Sequence, residues 1–316
     1  MMPGWARLTF RLSRFELLAF GGFIVVFIAT TILAAAWIDS LRPPPECLGN
    51  VDIQTPACEI KRNAWYSAQN GVASLSVGLL IFLSFAAGVF LGVPIVAREV
   101  ERGTSRLAWS LAPSRMRWFL ARMVPILVVL AVLTFIAGIA VDRFVGAVTP
   151  GVDLSNAFTS FGFRGLLIAS RAIFIFAVGV LVGAIVARAL PAVILTAVIA
   201  TIGLAGGERV HQEILASEAV AIPMSVNDNG TGGSGDLYMN QKFVLPDGSL
   251  VGWEYFNGIA TDQFDENGNP KFPMVSIVVP GSRYRFVETR EAVVLAGGSL
   301  VALLFAGFVV SRRRAG

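Results

Sequence analysis

The sequence predicts an all-α polytopic membrane protein. The expectation is six transmembrane helices, cytoplasmic N- and C-termini, and a small extracytoplasmic α/β or β-containing domain between spans 5 and 6. Three observations lead there. Hydrophobic residues make up 55% of the 316 and charged ones only 15%, against about a quarter charged in a soluble domain. Apolar runs recur at about the 20 residues that a helix needs to cross the hydrocarbon core. The basic residues behind the net charge of +4 gather on alternate inter-run segments instead of forming a stripe, which marks topology and argues against nucleic acid as a partner.

The first run, Leu17–Ile38, follows Arg7, Arg11 and Arg14 and ends in "AAAW", imitating a secretory signal. Its apolar stretch of about 21 residues exceeds the 7–15 of a cleaved signal, so an uncleaved anchor is expected. The other spans are Val72–Ala97, Phe119–Val141, Gly165–Ala187, Pro191–Gly206 and Ala292–Ser311. Only Arg188-Ala189-Leu190 joins the fourth to the fifth, which reads as a helical hairpin. Pro94 should loosen the second span near its cytoplasmic end. Gly88 with Gly92, and Gly179 with Gly183, repeat at i,i+4 and are candidate seams, either within one chain or between two. With the N-terminus inside, segments 1–16, 98–122, 188–190 and 312–316 hold 13 Lys/Arg in 49 residues, and the outer loops hold 11 in 141. That asymmetry obeys the positive-inside rule.

This divides the chain into three parts. Residues 1–206 carry spans 1–5, an outer loop at 39–70 and a cytoplasmic segment at 98–118. Residues 207–290 form the extracytoplasmic domain, and 291–316 the sixth span with its basic tail. The first outer loop contains the chain's two cysteines, Cys47 and Cys58. On the non-cytoplasmic side a disulfide is the expectation, two unpaired thiols the alternative. The large loop opens with the flexible "NDNGTGGSGD". Turn signals "PDG" and "ENGNP" then separate short apolar runs, "KFVL" and "MVSIVV", which points to some β structure. Asn229-Gly230-Thr231 is a weak glycosylation pattern.

Catalytic chemistry is sparse. The chain contains no G-x-x-x-x-G-K-[ST] loop, so it should not hydrolyse nucleotide by itself. Its single histidine, His211, stands near Glu208 and Glu213. One imidazole without a thiol favours a structural or solvated role over a metal site. No G-x-S-x-G elbow accompanies it. Ion-coupled carriers bury carboxylates in their spans. Here Arg171 is the exception to nearly uncharged interiors, either snorkelling outward or lining a pathway.

The segment between spans 2 and 3 is the most polar part of the first half. Gly103 suits a left-handed helix end. Thr104 can cap a short helix over about 105–111, Pro113 stops it, and Ser114 can cap the third span. Such a capped two-turn helix is either a docking knob or an amphipathic hairpin on the inner leaflet.

Residues 97–122, "AREVERGTSRLAWSLAPSRMRWFLAR", resemble the signature between the second and third spans of permeases of the type-2 (ABC-2) exporter family of ABC transporters. The matching residues are Glu99, Glu101, Gly103, Thr104, Leu107, Ser110, Pro113, Ser114 and Arg115. Residues 162–200 are similar to the family's fourth and fifth spans, especially in actinobacterial members, although Arg171 and Ala172 stand where small or aromatic residues are usual. Residues 278–295 resemble its P-x-x-R-[FYW]-x-x-[QE]-x-x-E segment through Pro280, Arg283, Tyr284, Glu288 and Glu291. The resemblance implies the transmembrane half of an ATP-driven exporter in the plasma membrane, paired with an identical or related second permease chain. Cytosolic ABC ATPase subunits would carry ATP and Mg, with no cofactor on this chain. A coupling helix at 104–111 would dock on the ATPase, positioned by Glu99, Glu101, Arg102 and Arg106. The cargo is expected to be amphiphilic or hydrophobic. The rival expectation is a membrane-anchored structural or sensory protein whose outer domain binds a partner.

Overall fold

The computed structural model describes residues 14–48, 55–104, 114–223, 235–256 and 271–313. Long helices dominate: α1 (Arg14–Ser40), the short α2 (Pro45–Leu48), α3 (Pro56–Ala86), a π-helical turn (Ala87–Gly92), α4 (Val93–Glu101), α5 (Arg115–Val148), α6 (Gly165–Val186), α7 (Ala189–Glu218) and α8 (Tyr284–Arg312). Among the described residues, five helical stretches are long and apolar enough to cross a membrane: Leu17–Ser40, Arg115–Val148, Gly165–Val186, Ala189–Glu218 and Gly281–Arg312. The expected second span, Val72–Ala97, falls on the run α3–π turn–α4. The π-helical turn lies just ahead of Pro94, whose ring would collide with the carbonyl four residues back in a regular α-helix.

Several limits differ from those read in the sequence. The fifth span, expected to stop at Gly206, belongs to a helix that continues to Glu218, because Glu208–Ala216 holds no proline and ordinary helix formers carry the backbone onward. The helix carrying the run expected as the sixth span, from Ala292, starts at Tyr284, after a 3-10 turn at Gly281–Arg283. The hairpin between α6 and α7 is tighter than three residues. Ala187 takes the left-handed conformation at φ +60° and donates its N–H to the Gly183 carbonyl, and α7 begins at Ala189.

The chain separates into two compact units. The first takes residues up to 150, 160–204 and from 288 onward; the second takes 151–159 and 205–287. The second unit thus joins the turn after α5 to residues 205–287. In the first unit α6 is the most enclosed helix, with Leu167, Ala172, Phe176 and Val180 fully buried. The Gly-x-x-x-Gly seams lie within the chain. A Cβ on Gly179 would come 2.5 Å from the Gly88 carbonyl oxygen, and one on Gly92 would come 2.6 Å from that of Phe176. Only glycine permits this backbone approach between the π turn and α6. Large apolar side chains such as Val25, Leu33, Val128, Leu300 and Leu304 stay exposed, as lipid-facing positions do.

The second unit holds an antiparallel sheet of β1 (Val220–Pro223), β2 (Leu237–Val244), β3 (Leu250–Val251) and β4 (Met274–Val279) in the order β1-β4-β2-β3. Val220 faces Val278, and Tyr238 also pairs with Val278 from the other side before a bulge at Tyr238/Asn240. The expected "PDG" turn makes the β2–β3 hairpin, with Gly248 at φ +82° donating to the Leu245 carbonyl. Phe243, fully buried, packs edge-on to Trp253 at 4.8 Å and Phe256 at 5.0 Å. Asp153 opens a turn in this unit. Bonds from the Ser155 hydroxyl and backbone N–H, and then from Asn156, hold its carboxyl below the usual carboxylate range. The sequon at 229–231 lies outside the described residues.

Candidate coupling site

The segment that leaves α4 is built from short local rules. Arg102 keeps helical geometry and donates its N–H to the Arg98 carbonyl. Gly103 then turns to φ +72° and donates to the Val100 carbonyl at 3.1 Å. A Cβ there would meet nothing within 4 Å, so the demand for glycine is torsional and not steric. The Thr104 hydroxyl donates back to the Glu99 carboxylate at 2.7 Å and to the Glu99 carbonyl at 3.3 Å, closing the turn on itself. Arg106, Leu107, Ser110 and Pro113 lie outside the described residues.

The two glutamates were expected to make charged contacts that position the coupling helix. Both carboxylates find their partners within the chain. Glu99 Oε1 lies 3.0 Å from Arg122 Nη1 on α5, a pair with side chains 22% and 9% exposed. Arg122 also stacks over the Trp118 ring at 5.4 Å. Glu101 Oε2 accepts the Ala189 N–H at 2.8 Å. That N–H is one of the donors left over at the start of α7, and an anion there is also favoured by the helix dipole. The segment is thus tied to α5 and α7 by one carboxylate each.

The same end of the unit carries a second set of ties. Ser114 Oγ accepts the Arg117 N–H at 3.2 Å and caps α5. Arg115 Nη1 donates to the Ser311 carbonyl at 3.3 Å and to the Arg313 carbonyl. Arg313 in turn donates to the Ala184 carbonyl at 2.6 Å, near the C-terminus of α6, where a cation complements the carbonyl ends. Ala189, Arg122 and Arg313 were not singled out from sequence. Glu101 and Ala189 are 88 residues apart, and no spacing signals such a contact.

Arg171, expected either to snorkel or to line a pathway, is paired within the chain. Its Nη2 pairs with Glu291 Oε1 at 2.7 Å, its Nη1 donates to the Gly162 carbonyl at 3.0 Å, and its guanidinium stands 5.9 Å from the Phe163 ring centre. Glu288, one turn earlier on α8, accepts the Leu166 N–H at 3.1 Å at the start of α6. The acidic pair in the 278–295 segment therefore grips the 162–200 segment. Arg164, buried, lies 3.7 Å from Asp142. Away from these sites, Cys47 and Cys58 are joined in a disulfide with Cα atoms 5.3 Å apart. His211 sits on α7, and among the described residues no group of three or more His, Cys, Asp or Glu could hold a metal.

The family described as ABC-2 membrane transporter related matches residues 12–206, more than half of the chain. The chain belongs to that family and is an ABC-2 type permease, a class of membrane-embedded, typically non-catalytic transport subunit that works with an ABC ATPase. No curated protein and no solved structure matches significantly.

Proposed function

We propose that this chain is the permease subunit of an ATP-driven exporter of the plasma membrane, and that a cytosolic ABC ATPase docks on the segment 98–118 through a coupling helix at 104–111. ATP and Mg belong to the ATPase, and a second permease chain, identical or related, completes the translocation path. Cargo is amphiphilic or hydrophobic and leaves the cytoplasm. All six runs cross the membrane, both termini are cytoplasmic, and the sheet-containing unit is extracytoplasmic.

The observation that carries this reading is the pair of carboxylate ties, Glu99 to Arg122 and Glu101 to the Ala189 N–H. A push on residues 104–111 would reach α5 and α7 through them. That would let an ATPase act on helices it does not touch, the distant coupling that an allosteric mechanism needs. The test is affinity co-purification with the cytosolic ABC ATPase encoded beside the gene, from wild type and from Glu101→Lys. A stoichiometric wild-type complex is expected, with the lysine variant weakened because it places a cation against the α7 N-terminus. Absence of any ATPase from the wild-type preparation would defeat the reading.

A further inference from the structure

A cavity of about 520 Å³ opens between α1, the run Phe82–Arg98 and the start of α7. Its volume falls within the roughly 300–1,000 Å³ of ordinary small-ligand sites. Phe15, Phe20, Phe23, Phe82 and Phe90 supply much of the wall, and Arg98 is the charged residue that lines it. Phe23 and Phe82 meet edge to face at 5.5 Å, while Phe82 and Phe90 remain 50% and 52% exposed. The chamber is therefore open along one side rather than sealed inside the bundle.

Its lining is ordered by polarity. Arg98 follows Phe82 by sixteen positions, roughly 24 Å of helix, more than the ~15 Å that one leaflet contributes to the hydrocarbon core. Phe82, Ala86, Val89, Phe90, Val93 and Pro94 line that length, and the guanidinium stands at the end where α4 leaves the apolar region. A long apolar slot ending in one cation matches an acyl chain with an anionic head. Basic pockets between spans on the cytoplasmic side take anionic lipid head groups.

We propose that this cavity binds an anionic phospholipid of the inner leaflet, with an acyl chain against the phenylalanines and the phosphate against Arg98. Only the cytoplasmic placement of Arg98 is taken from the permease reading. The bound lipid would brace α1, α4 and α7 beside the Glu101–Ala189 tie, so its occupancy would bear on how firmly that tie is held.

Native mass spectrometry of the full chain, purified in detergent and exposed to equal phosphatidylglycerol and phosphatidylcholine, tests this without any ATPase present. Wild type should retain phosphatidylglycerol preferentially. Arg98→Gln should lower that retention about fivefold and remove the preference, as one juxtamembrane cation would, while Arg98→Lys keeps it. Ala19→Trp fills the cavity from an exposed lining position and should lower retention of both lipids, with a size-exclusion profile like wild type. Equal retention of the two lipids by wild type, or wild-type retention by either Arg98→Gln or Ala19→Trp, would overturn the proposal. Because no partner protein enters this assay, its failure and that of the permease reading are separable.

Discussion

Arg171 and Glu291 form a pair whose side chains are only 17% and 16% exposed, so each charge depends on the other for solvation. Removing one partner of such a pair typically costs about 3–5 kcal/mol, whereas replacing both with apolar groups is often close to neutral. Arg171→Met should therefore lower the apparent melting temperature in detergent sharply, and Arg171→Met with Glu291→Met should recover most of the loss. Equal destabilisation by the single and double variants would show that the pair is not coupled. Gly103 is a different case. With φ +72° and open space around the missing Cβ, a β-branched residue there meets torsional strain of about 1–2 kcal/mol without disturbing any packing. The left-handed turn at Gly103 was readable from the sequence, because glycine at a helix end carries a local signal. The partners of Glu99, Glu101 and Arg171 were not, because each contact is fixed by helices far apart in the chain.

At the scale of elements, the π turn and α6 are held by glycines whose backbones touch. Gly179→Val should lower the yield of monodisperse protein severely, since its Cβ alone would stand 2.5 Å from the Gly88 carbonyl oxygen, and overpacking against rigid backbone has no easy relief. Gly203→Ala on α7, where a Cβ meets nothing within 4 Å, should be tolerated or mildly stabilising. Fluorescence size-exclusion chromatography of the two variants separates these outcomes. The i,i+4 glycines were visible as seams in the sequence, but not whether they joined one chain or two. The helix limits were harder: α7 and α8 run beyond their apolar cores because backbone propensity, and not hydropathy, ends a helix. The strands of "MVSIVV" and "KFVL" followed from their composition, while the order β1-β4-β2-β3 depends on long-range pairing that no local pattern encodes.

For the whole molecule, the distribution of arginine and lysine predicts which ends face the cytoplasm, and the disulfide between Cys47 and Cys58 belongs with an oxidising exterior. With both native cysteines bonded, single introduced thiols report topology cleanly. A membrane-impermeant maleimide applied to intact cells should label Ser249→Cys in the β2–β3 turn, and should label Arg117→Cys and Ser311→Cys only after the membrane is opened. Labelling of Ser311→Cys in sealed cells would reverse the orientation assigned to the permease.

In the proposed function, force from an ATPase enters through residues 98–118 and is carried by the turn at Gly103 and the ties of Glu99 and Glu101. ATP turnover of the co-purified complex in proteoliposomes, compared between wild type and Gly103→Val at equal ATPase content, tests it most directly. The variant should still assemble but lose turnover by about tenfold, since a strain near 1.4 kcal/mol changes an equilibrium by that factor. Wild-type turnover from an assembled Gly103→Val complex would contradict it.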